Sequence, residues 1–559
     1  MLARQPMVLL WLVSTLLLLH NLMQVSADHV SRYFQCPATK DSYVDSTSTT
    51  TTRINAKNAA NNTKETFLTN PVILKGKRFF DSVTGDYFPV QGIAYYPRPN
   101  GGELAPYDNV DYFTPAYQHV WEPDIQRLRA LGVNTIRIYA VDPSQNHDAF
   151  MCALQRAGIY VILELLADCD GCHIGPDVGL GEEACYPPSL KARGQWIVNE
   201  FSKYANLLLF SAGNEVTLYA TNQEIVRNAV CQKKFLRDMR TYLDKCSQID
   251  HSILPRKVPV GMVNWDVERT LQTLYFTCRT DPTDAMENAE WYGLNAYQHC
   301  DGTAVAIQQL EGWWRLQQDF ASYQLPMPAL VAEFGCRASS FPTLDGFEAQ
   351  RTWLQVDALW GDASFIDVFA GGAVFEYSSE KVIVDTASQN QPWPYYGFMK
   401  VQYGIGYYSP VDCDHTSTDV AQQCTYIPYP EFDLLARKFQ QLQKDSANHN
   451  MPSYDDYVPP EFALPTCPEG LPAVTDFNWT YMDTAEDLPC YVIPTPRPTA
   501  SPTTASPTMT MAPTPSPVAA GGTVNNQNSV TSSAVRTTSW GTTTALVAVL
   551  SFFLSGGRR

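Results

Sequence analysis

Two glutamates hold the chemistry this chain is able to do. Glu215 closes the apolar run LLLFSAGNEV (residues 207–216), and Glu333 closes PALVAEF (328–334). A carboxyl at the C-terminal end of a short buried strand sits where a parallel barrel keeps its active site. Two such carboxyls across one glycosidic bond divide the work. One protonates the leaving oxygen and the other attacks the anomeric carbon. The attacking group must be ionised, whereas the acid must hold its proton until cleavage, which calls for a raised pKa. Asn214, immediately before Glu215, is of a type that hydrogen-bonds a sugar 2-hydroxyl in the transition state. A separation of about 5–5.5 Å between the carboxyls gives retention and one of about 6.5–9.5 Å gives inversion.

Around this pair stand Tyr95, Tyr96, Arg137, Tyr139, Glu164, Asn295, Tyr297, Glu376 and Tyr377, each at or near the end of an apolar run. Rings stack on sugar faces, and hydroxyls, amides and carboxylates bond sugar hydroxyls. Each of these residues also has a purely structural reading, and Arg137 in particular reads equally as a scaffold that neutralises the carboxylates. Trp313 and Trp314 fall at helical spacing and read as packing rather than as a sugar platform.

What must position these residues is an alternation of elements. Strand-like runs lie at 88–93, 134–139, 160–166, 207–212, 258–263, 291–296, 330–334 and 372–377. Helical periodicity separates most of them, at 123–131, 146–157, 196–204, 222–243, 266–278, 304–323 and 344–359. The pattern predicts an α/β fold, a (β/α)8 TIM barrel over 72–410, with Glu215 ending the fourth strand and Glu333 the seventh. An open doubly wound sheet is the alternative, but it calls for a Gly-rich phosphate loop that is absent from the sequence. Residues 411–491 are aromatic, Pro-rich and Cys-containing, and read as an irregular extension packed on the barrel.

The flanks carry addresses. Residues 1–27 read as a secretory signal peptide and 28–71 as a poorly patterned N-terminal segment. Residues 492–534 read as a disordered Ser/Thr/Pro-rich stalk. Residues 535–559 contain the apolar tail ALVAVLSFFL (545–554) and read as a glycosylphosphatidylinositol (GPI) attachment signal removed on anchoring. That tail is short of the roughly 20 apolar residues a membrane span needs. Asn61 and Asn478 match the N-glycosylation pattern. The expected place is therefore the cell surface or wall, at the outer face of the plasma membrane. Fourteen cysteines in an exported chain favour disulfides, including Cys169 and Cys172 of the C-x-x-C stretch, over a metal site. A net charge of −18 argues against nucleic acid as a partner. No cofactor, metal or obligate protein partner is called for.

Seven pieces, in order, resemble glycoside hydrolase family 72, the β-1,3-glucanosyltransferases of cell walls. They are LGVNTIRIYAVD (131–142), AGIYVIL (157–163), FSAGNEV (210–216), VPVG (258–261), YGLNAY (292–297), EFGC (333–336) and GGAVFEY (371–377). The resemblance implies Glu215 as acid/base and Glu333 as nucleophile. It implies Asn214, Tyr139 and Tyr297 as donor-site contacts and a disulfide between Cys300 and Cys336, whereas Tyr96, Glu164 and Tyr377 are further substrate-binding candidates by their strand-end positions alone. The implied reaction cleaves an internal bond of a β-1,3-glucan donor and passes the new reducing end to the non-reducing end of an acceptor glucan. A retaining endo-β-1,3-glucanase and a non-catalytic glucan-binding surface protein are the competing readings. Tyr96 stands where the family has Gln, Glu164 where it has Asp, and Gln298-His299 where it has Glu-Trp. The family's cysteine upstream of the second strand has no counterpart near Val120, which leaves Cys152 in need of another partner. The six-cysteine module of some members is absent.

Overall fold

The computed structural model describes residues 33–37, 69–167, 169, 172–174, 185–216, 222–249, 254–297, 304–335, 351–387, 393, 403–445, 451–476 and 486–490. An antiparallel hairpin comes first, β1 (Val72–Lys75) with β2 (Arg78–Asp81). Strands and helices then alternate: β3 (Val90–Ala94), α1 (Gln118–Leu131), β4 (Thr135–Ile138), α2 (Asp148–Ala157), β5 (Tyr160–Glu164), α3 (Pro188–Phe201), β6 (Leu207–Asn214) and α4 (Asn222–Ile249). The second half continues with β7 (Val260–Trp265), α5 (Arg269–Thr277), β8 (Tyr292–Asn295), α6 (Glu311–Tyr323), β9 (Ala329–Phe334), α7 (Leu354–Gly361), α8 (Ala363–Val368) and β10 (Gly371–Val374). Strands β3 to β10 form a closed, all-parallel barrel in sequence order, β10 pairing with β3 to shut it. The fold is the predicted (β/α)8 barrel, and each of the eight strand-like runs overlaps one of its strands.

Local chemistry explains the phrasing of the chain. Helix α2 stops at Gly158, whose φ of +76° is the left-handed turn that lets the chain reverse directly into β5. The barrel strands are buried on both faces, so they read as continuous apolar runs rather than as alternating ones. Their inward residues, including Ile162, Leu208, Val263, Trp291, Leu330 and Ala332, form one cluster with Val72 and Phe79 of the β1–β2 hairpin. The hairpin therefore closes the end of the barrel where the strands begin, and only the opposite end is a mouth. Helix starts differ from expectation: α1 begins at Gln118 and carries Pro123 inside it, and α3 begins at Pro188. Trp313 is fully buried and Trp314 donates its indole N–H to Ile307 O, both as packing residues.

Beyond the barrel come α9 (Lys381–Ala387), the hairpin β11 (Gly406–Ser409) with β12 (Thr425–Pro428), and α10 (Pro430–Asp445). The extension thus contains a hairpin, stapled by Cys413–Cys424, and a helix that packs on α1 and α7. Residues 451–476 are irregular apart from one short helical turn at Val474–Asp476. Two disulfides, Cys278–Cys467 and Cys246–Cys490, fasten this last part of the chain to the C-terminal ends of α5 and α4, at the closed end of the barrel. Cys152 finds its partner in Cys36, and Cys169 pairs with Cys172 and Cys185 with Cys231. Among the described residues no helix is long and apolar enough to cross a membrane. The signal peptide, the stalk, the GPI signal, the Cys300–Cys336 pairing and both glycosylation sites lie outside the described residues.

Candidate active site

Arg137, the third residue of β4, is the hub of the mouth. It is almost fully buried, and a buried guanidinium is tolerable only if its donors are met. They are met by residues from four strands. Nε and Nη2 donate to one oxygen of Glu164, at 3.1 and 2.6 Å. Nη2 also donates to Asn214 Oδ1 at 2.7 Å, and Nη1 donates to Glu333 Oε1 at 2.8 Å and to Asn295 Oδ1 at 3.3 Å. One cation is thereby shared between two carboxylates and two amides.

Glu333 is clamped from three sides. Besides Arg137, the Tyr139 hydroxyl donates to Oε1 at 2.8 Å and the Tyr297 hydroxyl donates to Oε2 at 2.6 Å. Every contact brings a hydrogen to an oxygen, which suits an acceptor-only carboxylate. Burial, together with the nearby carboxylates, pushes both phenols well above the usual tyrosine range, so both remain donors. Two phenols and a guanidinium fix the direction in which the Glu333 carboxylate points.

Glu215 has the opposite surroundings. Its sole partner among the described residues' side chains is Asn295, whose amide donates to Oε1 at 2.7 Å. Burial comes first, and the charge on Glu333 second, in raising its pKa to about 7; Asn295 and Arg137 pull the other way. Its backbone is strained: φ is +52°, a left-handed conformation that costs a residue with a Cβ on the order of 1–3 kcal/mol. The register between β6 and β7 shifts just before it, between Ser211 and Asn214, and the Glu215 N–H is held by Val263 O at 3.1 Å. Such an irregularity re-aims a strand-end side chain.

Only two side chains separate the carboxyls: Asn295 bonds Glu215 directly, and Arg137 joins Asn295 to Glu333. Asn295 also donates to Asn214 Oδ1 at 3.0 Å, which closes the loop back to Arg137. Arg137, Tyr139, Glu164, Asn214, Glu215, Asn295, Tyr297 and Glu333 are thus one connected cluster. Glu164 enters it through Arg137 and is 2% exposed, so it serves the guanidinium rather than presenting itself to solvent.

The remaining sequence candidates stand apart. The Tyr377 hydroxyl donates to Asp124 Oδ1 at 2.8 Å, and its ring stacks on Tyr426 with 4.2 Å between centroids. Tyr95 and Tyr408 donate to the same Asp124 carboxyl, so Tyr95 and Tyr377 belong to a buried knot behind the first and last barrel strands. The Tyr96 hydroxyl accepts the Val110 N–H at 3.0 Å and its ring packs edge-on to Tyr112. Tyr96 and Tyr377 therefore have their hydroxyls engaged by protein, away from the connected cluster. Their strand-end positions are as expected; the direction of the side chain is what a strand-end position leaves open.

Glu376 lies between the two groups. Burial, then repulsion from Glu380 and Glu333, pushes its carboxyl well above the usual range, and it hydrogen-bonds Glu380. Glu380 in turn accepts Arg98 Nη1 at 2.6 Å. Two aromatic residues at the mouth, Phe375 and Tyr403, are not among the candidates named from the sequence. Phe375 packs edge-on against Tyr139 and Tyr297, and Tyr403 lies against Tyr297 and Phe375.

A family model described as glucanosyltransferase, of glycoside hydrolase family 72, matches residues 61–390. Similar proteins include the 1,3-beta-glucanosyltransferases gas5 and gas4 of Schizosaccharomyces pombe. Gas5 is 31% identical over 384 residues, covering 66% of this chain and 68% of the relative. Gas4 is 32% identical over 322 residues, covering 57% and 62%. GAS2 of Saccharomyces cerevisiae is 30% identical over 321 residues, covering 56% and 51%. The chain thus spans between half and about two thirds of these relatives' lengths. Among solved structures, Saccharomyces cerevisiae Gas2p in complex with laminaripentaose superposes with a TM-score of 0.52 at 26% identity, over 72% of this chain and 75% of that one. Arrived at from the motifs, the barrel and the family match alike, the conclusion is that this chain belongs to the glucanosyltransferase family of glycoside hydrolases, family 72.

Proposed function

We propose that this protein is a retaining β-1,3-glucan transglycosylase, with Glu333 as nucleophile and Glu215 as acid/base. The observation that carries the proposal is the asymmetry of the pair. Glu333 accepts three hydrogen bonds, one of them from a guanidinium, while Glu215 has one amide donor and a pKa raised to about 7. Two carboxyls with opposed environments are how acid and nucleophile are told apart. Relatives named 1,3-beta-glucanosyltransferases support the reaction class, and a related barrel bound to laminaripentaose supports the substrate class.

In the first step a Glu333 oxygen bonds to the anomeric carbon while the Glu215 proton goes to the glycosidic oxygen. The bond between that oxygen and the anomeric carbon breaks, and the reducing-side fragment leaves as an alcohol. Glu215, now a carboxylate, takes the proton of a glucan hydroxyl; that oxygen attacks the anomeric carbon and expels Glu333. Two inversions restore the β configuration. Arg137, Tyr139 and Tyr297 hold the leaving carboxylate in line for both steps. Asn214, which adjoins Glu215 and is held by Arg137 and Asn295, is assigned the contact with the sugar 2-hydroxyl.

The chain is proposed to act outside the cell, tethered through a lipid at the C-terminal side. Residues 486–490 run along the outer groove between α3 and α4, Asp487 pairing with Lys191 and Lys245, down to the Cys246–Cys490 bridge. A tether leaving from there departs from the end of the barrel opposite the mouth, which keeps the mouth open towards the wall.

Incubation with a β-1,3-gluco-oligosaccharide whose reducing end has been reduced tests the reaction. A transferase gives products longer than the substrate. Exclusively shorter products would make the protein an endo-glucanase, and unchanged substrate would leave it a binding protein.

A further inference from the structure

Tyr403 reaches the mouth from outside the barrel, on the segment between β10 and β11. Its backbone is fixed by a buried arginine. Arg351, itself buried, donates Nη1 to Gly335 O at 2.6 Å and to Tyr403 O at 2.7 Å, and Nη2 to Gly404 O at 2.8 Å. Gly335 lies two residues past Glu333, so one guanidinium ties the Tyr403–Gly404 peptide to the end of the nucleophile strand. The Arg351 guanidinium lies on the Trp353 ring, 4.5 Å from its centroid, which locks its plane. The Tyr403 carbonyl also accepts the Glu376 N–H at 3.3 Å, and Ile405 N donates to Glu376 O at 2.9 Å. Gly404 permits this approach: a Cβ there would sit 2.0 Å from Ser379 N.

The side chain so held is half-buried. Its ring packs at 5.1 Å from Tyr297, the residue that grips Glu333, and at 5.4 Å from Phe375. Among the described residues its hydroxyl makes no hydrogen bond, in contrast to those of Tyr139, Tyr297 and Tyr377. The phenol lies in the fields of Glu376, Glu333 and Glu215 together, and burial with those charges keeps it protonated. A donor held at the mouth, without a hydrogen-bond partner among the described residues and within the fields of both glutamates, has the sugar as its natural acceptor.

We propose that Tyr403 is a substrate-binding residue of the mouth, its hydroxyl donating to a hydroxyl of the glucose unit bound between Glu215 and Glu333. Arg351 is its positioning residue. The inference rests on the transglycosylase reading and adds to it a contact supplied from outside the barrel strands.

Steady-state kinetics of Tyr403→Phe and Arg351→Lys on a defined β-1,3-gluco-oligosaccharide, beside wild type and Glu333→Gln, test it. Tyr403→Phe keeps the ring and is expected to lower kcat/KM roughly three- to tenfold, the effect of one hydrogen bond. Its Tm and the pH of its basic limb should stay at wild-type values, which a merely structural role would not predict. Arg351→Lys loses the fork and is expected to lower kcat/KM at least as far. Wild-type kcat/KM in Tyr403→Phe, with active wild type and inactive Glu333→Gln, would overturn this inference alone. An inactive wild type would overturn the transglycosylase reading and this inference with it.

Discussion

The two ends of the barrel are built on different principles. The mouth is polar and crowded with charge: a buried guanidinium, three carboxyls and two amides are joined by hydrogen bonds, with one glutamate in a strained backbone conformation. The closed end is apolar and covalent. There the β1–β2 hairpin plugs the barrel with Val72 and Phe79, Phe80 packs against Tyr454 and Tyr457, and two disulfides strap the extension beneath. Burying charge and holding strain at the mouth cost stability, and the closed end is where burial and cross-links offset that cost. Activity should therefore be fragile to changes at one end and stability to changes at the other.

The largest expected effect is at Glu333. Glu333→Gln should lower turnover on β-1,3-glucan by on the order of a thousandfold or more, with glucan binding by calorimetry retained. Arg137→Met should break the separation between the two ends, because it leaves Glu164 and Glu333 buried without their cation. A loss of about 3–5 kcal/mol is expected in denaturant titration, together with loss of activity. Glu215→Gln should lower turnover by about 10²- to 10⁴-fold on unactivated glucan, and far less on a donor whose leaving group needs no proton.

At the closed end, Cys278→Ser combined with Cys467→Ser removes a bridge across 189 residues. It should cost about 2–5 kcal/mol by denaturant titration and leave kcat/KM at room temperature at the wild-type value. A variant that lost activity while staying folded would show that the closed end shapes the mouth.

The smallest effects are in pH. In the proposed mechanism Glu215 is protonated for the first step, so kcat/KM should fall as pH rises through about 7. Asn295→Ala removes a donor that favours the charged form, so in that variant the basic limb should move to higher pH. Stability follows by linkage. The folded pKa of about 7 lies above the ordinary value of 4.5, so folded protein holds this proton more tightly than unfolded protein does. The contribution is fully present below about pH 4.5 and is lost as pH rises through about 7. Glu215→Gln should therefore raise Tm relative to wild type above pH 7 more than it does at pH 4.

The same contrast explains what was legible in the sequence. The barrel was legible because strands buried on both faces are continuous apolar runs, and Glu215 and Glu333 were legible because a carboxylate ends such a run. Arg137, Tyr139, Asn295 and Tyr297 followed from sharing strand ends with them. The direction of a strand-end side chain was not legible. Tyr377 turns away because Asp124, inside the amphipathic pattern of α1, waits behind the strands, and nothing in the pattern distinguishes that aspartate from a surface one. Tyr403 was invisible because its place depends on Arg351, 52 positions earlier, and on three backbone carbonyls. The hairpin that closes the barrel was hidden by its strands of four residues each, and β11, β12 and α10 by the aromatic and Pro-rich composition around them.

The division of labour between the two glutamates is tested most directly by trapping the intermediate. The protein is incubated with a β-1,3-glucoside donor carrying fluorine beside the anomeric carbon and a good leaving group, then digested and analysed by mass spectrometry. A glycosyl adduct on the peptide containing Glu333, and none on that containing Glu215, is the predicted result. An adduct on Glu215, or turnover with inverted product and no adduct at all, would contradict it.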